Sequence, residues 1–543
     1  MGGVPKRALL LTAAAMGFFR ARAVEPESSS YVASTAGIFA ILLLAKAFWE
    51  IIVYPHFLSR LRVLPQPEGS NFILGHFRRI FKEPTGEPHR DWIDNVPNDG
   101  IIYYRWLFND PRVLVADPKA MGEVLVTKSY EFIKPKRLRE GLGRLLGVGI
   151  LLAEGQEHKR QRKLLMPAFN FRHVKDLYPI FWSKSLEMTT AIAANISASS
   201  SPSAGETVID IREWASRSTL DIIGVAGMGK DFDAVSNPNN ELNETYRKIF
   251  GSNRNAQVIQ LLLGFLPHWL AASLPLKRND EIGNAINTIK NVAASLVAEK
   301  RSKLASGAAH DTDILSVALE SGGFSDADLV NQLMTFLAAG HETTASALTW
   351  AVYCLCRHPD VQSRLRTEIR TELASFLQPG AAPPMTSTEI DRLPYLNAVL
   401  NETMRIFPPV PLTLREAATD TTIQGQFVPA GTTVVICPWA INTSKHLWGD
   451  DAREFVPERW LKPGTANSGG AESNYAIGTF LHGPRSCIGK DFAKAEFACL
   501  VAAMVARFDM RFEDEGYVLG IQGGITASPK GGLRVRVREV GGV

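Results

Sequence analysis

Cysteine is scarce: 543 residues carry only five, at Cys354, Cys356, Cys437, Cys487 and Cys499. So few thiols exclude a disulfide framework and fit a reducing compartment. A structural zinc site wants paired Cys or His at ligand spacing. Cys354-x-Cys356 has no second pair and lies in an apolar helical pattern, so these two read as core. Charge of one sign is lacking too. The formal net charge is +4 and no basic run alternates with aromatics, which argues against nucleic acid as a partner. No Gly-rich loop follows a strand with an acidic partner at the right distance, so no dinucleotide site is legible. Internal repeats are absent. The loop-like stretches at 197–205, 378–384 and 464–473 are too short to separate domains, although the length alone would allow three or four.

Long apolar runs are confined to the N-terminus. Residues 8–19 form a short one between Lys6, Arg7 and Arg20, Arg22; a signal-peptide core, a second anchor and a transit-like segment all fit it, with an uncleaved anchor favoured. Residues 31–54 form the better membrane span, provided Lys46 and Glu50 reach toward the headgroups. Arg60, Arg62, Arg78 and Arg79 follow, which by the positive-inside tendency leaves the remainder in the cytosol. Residues 55–70 read as a Pro-rich spacer, Leu64-Pro-Gln-Pro-Glu-Gly69 at its heart, and 71–543 as the body.

Within the body, residues 101–107 and 113–115 read as two strands turned by Asn109-Asp-Pro-Arg112. Asp117 then caps a helix with Pro118 at its first position. Helical periodicity dominates from there to a terminal hairpin signal, Ser528-Pro-Lys-Gly-Gly532 followed by period-two alternation over 533–540. The apolar piece 258–276, with Pro267 and Pro275, reads either as two buried helices or as a segment dipping into a membrane.

The most informative stretch is Phe480-Leu-His-Gly483-Pro-Arg485-Ser-Cys487-Ile-Gly489-Lys-Asp-Phe-Ala493. Gly483 permits a tight turn and Gly489 a close backbone approach by a flat ligand. A helix beginning at or just after Cys487 puts unpaired N–H groups and a positive dipole end beside the sulfur, which favours the thiolate, the metal-binding form. Arg485 offers a planar fork for a carboxylate, and Phe480 can shield the sulfur from water. This loop resembles the haem-binding loop of the cytochrome P-450 family.

The resemblance runs from about Leu64 to the end and implies one large domain, mainly α with small β-sheets, preceded by a transmembrane helix. It implies haem b with Cys487 as axial ligand of the iron. Residues 326–356 read as one long helix containing Ala339-Gly340-His341-Glu342-Thr343-Thr344, where the Thr343 hydroxyl can take the Ala339 carbonyl and a local bulge opens a groove. The family places dioxygen in that groove, with Thr343 donating to it and Glu342 relaying protons; the small Ala339 and Gly340 let the macrocycle approach. Glu402 and Arg405 share one helix face, and the family pairs them with an arginine at the position of Arg459 in a structural network. For the haem propionates the resemblance implies Arg485, Arg415, and Arg162 with His158, the last standing where the family often has Trp. Arg160, Lys163, Lys490 and Lys494 form either a dock for an acidic electron donor or an ordinary solvated face.

The implied activity is insertion of one oxygen atom of O2 into a lipophilic small molecule, by hydroxylation or epoxidation. A terpenoid, polyketide, sterol or fatty acid would suit, and Phe336, Ala339 and residues 410–414 would line its pocket. Electrons would come from a membrane-bound NADPH-cytochrome reductase, and the setting would be the endoplasmic reticulum membrane, single-pass, in fungal secondary metabolism. Two other classes remain: a haem-thiolate isomerase or dehydratase needing no outside electrons, and a haem-binding sensor or carrier without turnover.

Overall fold

A computed structural model describes residues 28–198, 205–250, 277–306, 312–377 and 384–541. The apolar stretches 8–19 and 258–276 lie outside these residues.

The described residues are mainly helical and form four small sheets. Its first described element is the helix Ser28–Phe48, which continues into a π-helical segment, Trp49–Leu58, and a short 3-10 turn, Arg60–Val63. Pro55 lies inside the widened segment, where its missing N–H removes a helical donor. Residues Ser34–Val63 are long and apolar enough to cross a membrane. Lys46 and Glu50 form an ion pair with each other at i, i+4 spacing, so neither has to reach the headgroups alone.

The strands are β1 (Ile101–Arg105), β2 (Pro111–Val115), β3 (Phe132–Ile133), β4 (Glu206–Asp210), β5 (Thr413–Ala417), β6 (Thr421–Ile423), β7 (Gln426–Val428), β8 (Thr433–Ile436), β9 (Phe508–Phe512), β10 (Ile521–Gly523), β11 (Ala527–Pro529) and β12 (Arg534–Glu539). The main sheet runs β1-β2-β8-β5-β3, with β2 parallel to β8 and its other pairs antiparallel. β1 and β2 occupy the two expected stretches. The turn between them is built by Leu107–Asn109 rather than by residues 109–112, because Phe108 and Asn109 both adopt left-handed backbone (φ 56°) and Pro111 already belongs to β2. The terminal hairpin is not formed. β11 pairs with β10, whereas β12 pairs with β4 and β9; Gly531 and Gly532, at φ +82° and +88°, turn the chain from one sheet into the other.

The long helix Asp326–Arg357 passes through the core, opened by a capping box between Ser325 and Asp328. It packs most extensively against Ile211–Met228. The helix is unbroken α through Ala339–Thr344, so the bulge expected there does not occur. Cys354 and Cys356 are buried in this helix.

Candidate active site

The cysteine loop is shaped by its backbone. Gly483 (φ +75°) lies so close to Leu125 that a Cβ would overlap the Leu125 carbonyl oxygen, and the residues Gly483–Arg485 make one 3-10 turn. The Cys487 amide donates to the Phe480 carbonyl at 2.9 Å, closing the loop, and the helix Lys490–Arg507 starts immediately afterwards. Cys487 is exposed, yet protein encloses its thiol closely enough for burial to push the pKa up, against the lowering influence of the Gly489 amide and Arg162.

The long helix supplies a second exposed spot inside the body. Ala339 is exposed although Ala338, His341 and Glu342 around it are buried, and Thr343 lies one turn further on the same face. The Thr343 Oγ1 donates to the Ala339 carbonyl at 2.8 Å. Phe169 links this face to the cysteine loop: its ring meets Phe336 edge-on at 5.4 Å and lies 3.7 Å from where a Cβ of Gly489 would be. Phe336 is itself buried, and Phe480 is half-buried against the same core. Gly340 has a packing neighbour that the sequence did not indicate. A Cβ there would meet the Ile223 Cδ1 at 3.0 Å, so its smallness admits the neighbouring helix.

Glu342 is buried and held from two sides. Arg212 Nη2 reaches its Oε1 at 3.1 Å and the Thr526 hydroxyl donates to the same oxygen at 3.3 Å. Neither partner was visible in the sequence, since both come from segments far from residue 342.

A cationic cluster lies beside the loop. Arg485 donates through Nη1 to the carbonyls of Ser129 and Phe132 (3.2 and 3.0 Å) and pairs through Nη2 with Glu154, while its buried Nε has no partner. Arg415 is buried, donating to the Thr413 hydroxyl at 3.1 Å and the Leu414 carbonyl at 2.9 Å; burial, then Arg485, push its pKa down to about 10. Burial and the same two arginines hold Lys134 well below its usual value. His158, whose Nδ1 lies 3.1 Å from the Tyr130 hydroxyl, is pushed down to about 4 by burial and by Arg485 and Lys134. Arg162 turns toward the cysteine loop instead, donating to the Ser486 carbonyl at 2.8 Å. Lys134, Arg415 and Arg485 therefore face Glu154 as their carboxylate partner. Buried charge of one sign is costly unless paired, so this donor set fits a ligand bearing carboxylates. Lys134, Glu154 and Tyr130 escaped sequence reading; the position of Lys134 just before Pro135 gave no functional signal.

Beneath the loop, Glu402 accepts five hydrogen bonds: two from Arg405 at 2.8 Å, and one each from Arg459, Trp460 and the Val456 amide at 2.9 Å. Arg405 Nη1 also donates to the Asn442 carbonyl at 2.9 Å, and the Asn442 amide side chain binds the Gly478 N–H and the Thr479 hydroxyl just before the cysteine loop. Trp460, Asn442 and Thr479 complete a network of which the sequence suggested three members. The basic face is thinner than its composition suggests. Arg160 turns to Glu157 and the Gly323 carbonyl and Lys494 to Asn401, leaving Lys163 and Lys490 exposed.

A mainly helical body thus carries a thiol loop, one long core helix and, beside the loop, a buried cationic cluster suited to carboxylates. The family model of cytochrome P450 matches residues 65–532. The chain is 45% identical to the cytochrome P450 monooxygenase sphH of Aspergillus fumigatus, over 95% of this chain and 96% of that protein. It is 43% identical to the cytochrome P450 monooxygenase FUM15 of Gibberella moniliformis, over 92% of each, and 40% identical to the cytochrome P450 monooxygenase ALT8 of Alternaria alternata, over 91% and 92%. The chain belongs to the cytochrome P450 family and is a monooxygenase. As such it uses a haem iron, O2 and a redox partner on a small substrate.

Proposed function

We infer that this is a membrane-anchored haem-thiolate monooxygenase that hydroxylates or epoxidises a lipophilic small molecule of secondary metabolism. The observation that supports the reading is the Cys487 thiol at the head of the helix Lys490–Arg507, within a body whose long helix exposes Ala339 at its buried middle, with Gly340 and Thr343 half-buried beside it.

Haem bound here supplies dioxygen activation at its iron, one oxygen atom entering the substrate and the other leaving as water. The chain's own residues do the rest. Cys487 would give its thiolate to the iron, helped by the Gly489 amide and Arg162. Arg485, Arg415 and Lys134, with His158 beside them, receive the haem carboxylates. Phe480 screens the sulfur from water, and Ala339 presents no bulk to the macrocycle. Thr343 would release its bond to the Ala339 carbonyl and donate to dioxygen, and Glu342, oriented by Arg212 and Thr526, would help relay protons. Glu402, Arg405 and Arg459 keep the loop in place. Electrons come from an NADPH-dependent reductase, supported by the exposed Lys163 and Lys490 near the loop. The span within residues 34–63 and the arginines after it support a single-pass anchor in the endoplasmic reticulum with the body in the cytosol. Fungal monooxygenases among the relatives support the metabolic setting.

The test is turnover of reconstituted protein against a lipophilic panel with and without NADPH and reductase. Oxygenated product only with both supports the reading; rearrangement of hydroperoxides without them establishes an isomerase instead.

A further inference from the structure

The segment read as a spacer is clasped to the body. Asn109, fully buried, donates from Nδ2 to the Ile51 carbonyl at 2.8 Å and to the Phe72 carbonyl at 2.7 Å. His56 lies beside it, its Nε2 2.9 Å from the Phe72 carbonyl and 3.2 Å from the Asn109 Nδ2, and its Nδ1 2.7 Å from Arg105 Nη1. The His56 ring stacks on Phe72 at 4.4 Å, and Arg105 Nη2 donates to the Ser70 hydroxyl. Ile51 and His56 belong to the widened helical segment, Arg105 ends β1, and Asn109 belongs to the turn after it. That turn holds two consecutive non-glycine residues at φ 56°, a left-handed conformation that persists where surrounding contacts enforce it.

Around the clasp the surface is apolar. Phe57 is 65% exposed, Leu58 51%, Val63 84%, Phe72 57%, Ile73 48% and Phe108 37%. Exposed large hydrophobics are concentrated here, at the end of the membrane span, and Arg60, Arg62 and Arg78 stand exposed among them. An apolar patch edged with arginines and continuous with a bilayer-spanning helix suits the boundary between acyl chains and anionic headgroups.

We propose that the His56–Arg105–Asn109 clasp fixes the anchor helix rigidly to the catalytic body, so that the surrounding patch is held in the bilayer interface and the body has one set orientation to the lipid surface. This rests on the membrane-anchor reading above. A flexible spacer would let the body rotate freely, and the patch would then face water for much of the time.

The test uses the full-length haem-loaded protein in vesicles of phosphatidylcholine and phosphatidylserine carrying brominated acyl chains. A fluorescent amino acid is placed at position 44, in the span, or at position 72, in the patch. Both probes should be quenched, the second losing on the order of half its emission at the ~5–10 Å depth of an interfacial face. In a His56→Ala, Asn109→Gly variant the probe at 44 should stay quenched while that at 72 recovers. Should that variant fail to fold, His56→Phe keeps the stacked ring, removes both ring nitrogens, and is read in the same way. Quenching at 44 without quenching at 72 in the parent overturns the proposal and leaves the anchor standing. Quenching at 72 that survives loss of the clasp overturns it as well. No quenching at either position removes the anchor reading and this proposal with it.

Discussion

The Thr343 hydroxyl donates to the Ala339 carbonyl at 2.8 Å, inside an α-helix that stays regular around it. The bond ties up the half-buried hydroxyl without breaking the helix, so the donor is stored one rotation away from use. Replacing Thr343 with Val removes the hydroxyl and keeps the shape. The expected result is unchanged haem binding with product formed per NADPH down by ~10-fold or more, the scale of a lost proton-transfer group. Equal coupling in Thr343→Val and wild type would count against the role given to Thr343.

Glu402 has no exposure and accepts five bonds, two of them from the fully buried Arg405. Removing one partner of a buried pair typically costs about 3–5 kcal/mol, because the other charge is left uncompensated. Glu402→Ala should accordingly express poorly and lose haem on mild heating. Thermal melting against wild type measures this; a shift within error would show the network to be dispensable.

His158 is depressed to about 4 from 6.5, burial first and Arg485 next. The unfolded chain thus binds a proton at this residue before the folded one does. Its contribution to stability is complete above pH 6.5 and is lost as pH falls through the window down to about 4. A carboxylate ligand beside the cluster raises the folded pKa and narrows that window. Urea titrations across pH 4–7 on haem-free protein should show a steeper acid loss than on haem-loaded protein, and His158→Phe should flatten it.

Gly340→Ala separates two explanations for a small residue. The added Cβ meets the flexible Ile223 side chain, which can shift by a few tenths of an ångström. Haem content should be preserved and the melting temperature should fall only modestly. Loss of haem in this variant would restore Gly340 to the cofactor face. Gly483→Ala, by contrast, combines a left-handed backbone with overlap of the Leu125 carbonyl and should abolish loop formation.

Much of this was legible because the signals were local. Cys487, Gly483 and the helix start sit within one stretch, and the long helix announced itself by period. Asp117 caps its helix as read, accepting from the Ala120 amide at 2.7 Å. What escaped was built across the chain. Arg212 and Thr526 meet Glu342 from 130 and 184 residues away, and nothing in their own neighbourhoods marks them. Period-two alternation over 533–540 identified a strand but not its partners, because pairing depends on where β4 and β9 lie. The packing of Gly340 against Ile223 escaped for the same reason: helical spacing gives a face, while only packing says what that face meets.

The central claim is that Cys487 ligates the haem iron as a thiolate. It is tested most directly by the absorption spectrum of dithionite-reduced protein with and without carbon monoxide, wild type against Cys487→Ala. The account predicts the strongly red-shifted Soret band of thiolate ligation in wild type and its absence in the variant. Wild-type protein that binds no haem, or binds it without that shift, would contradict the account.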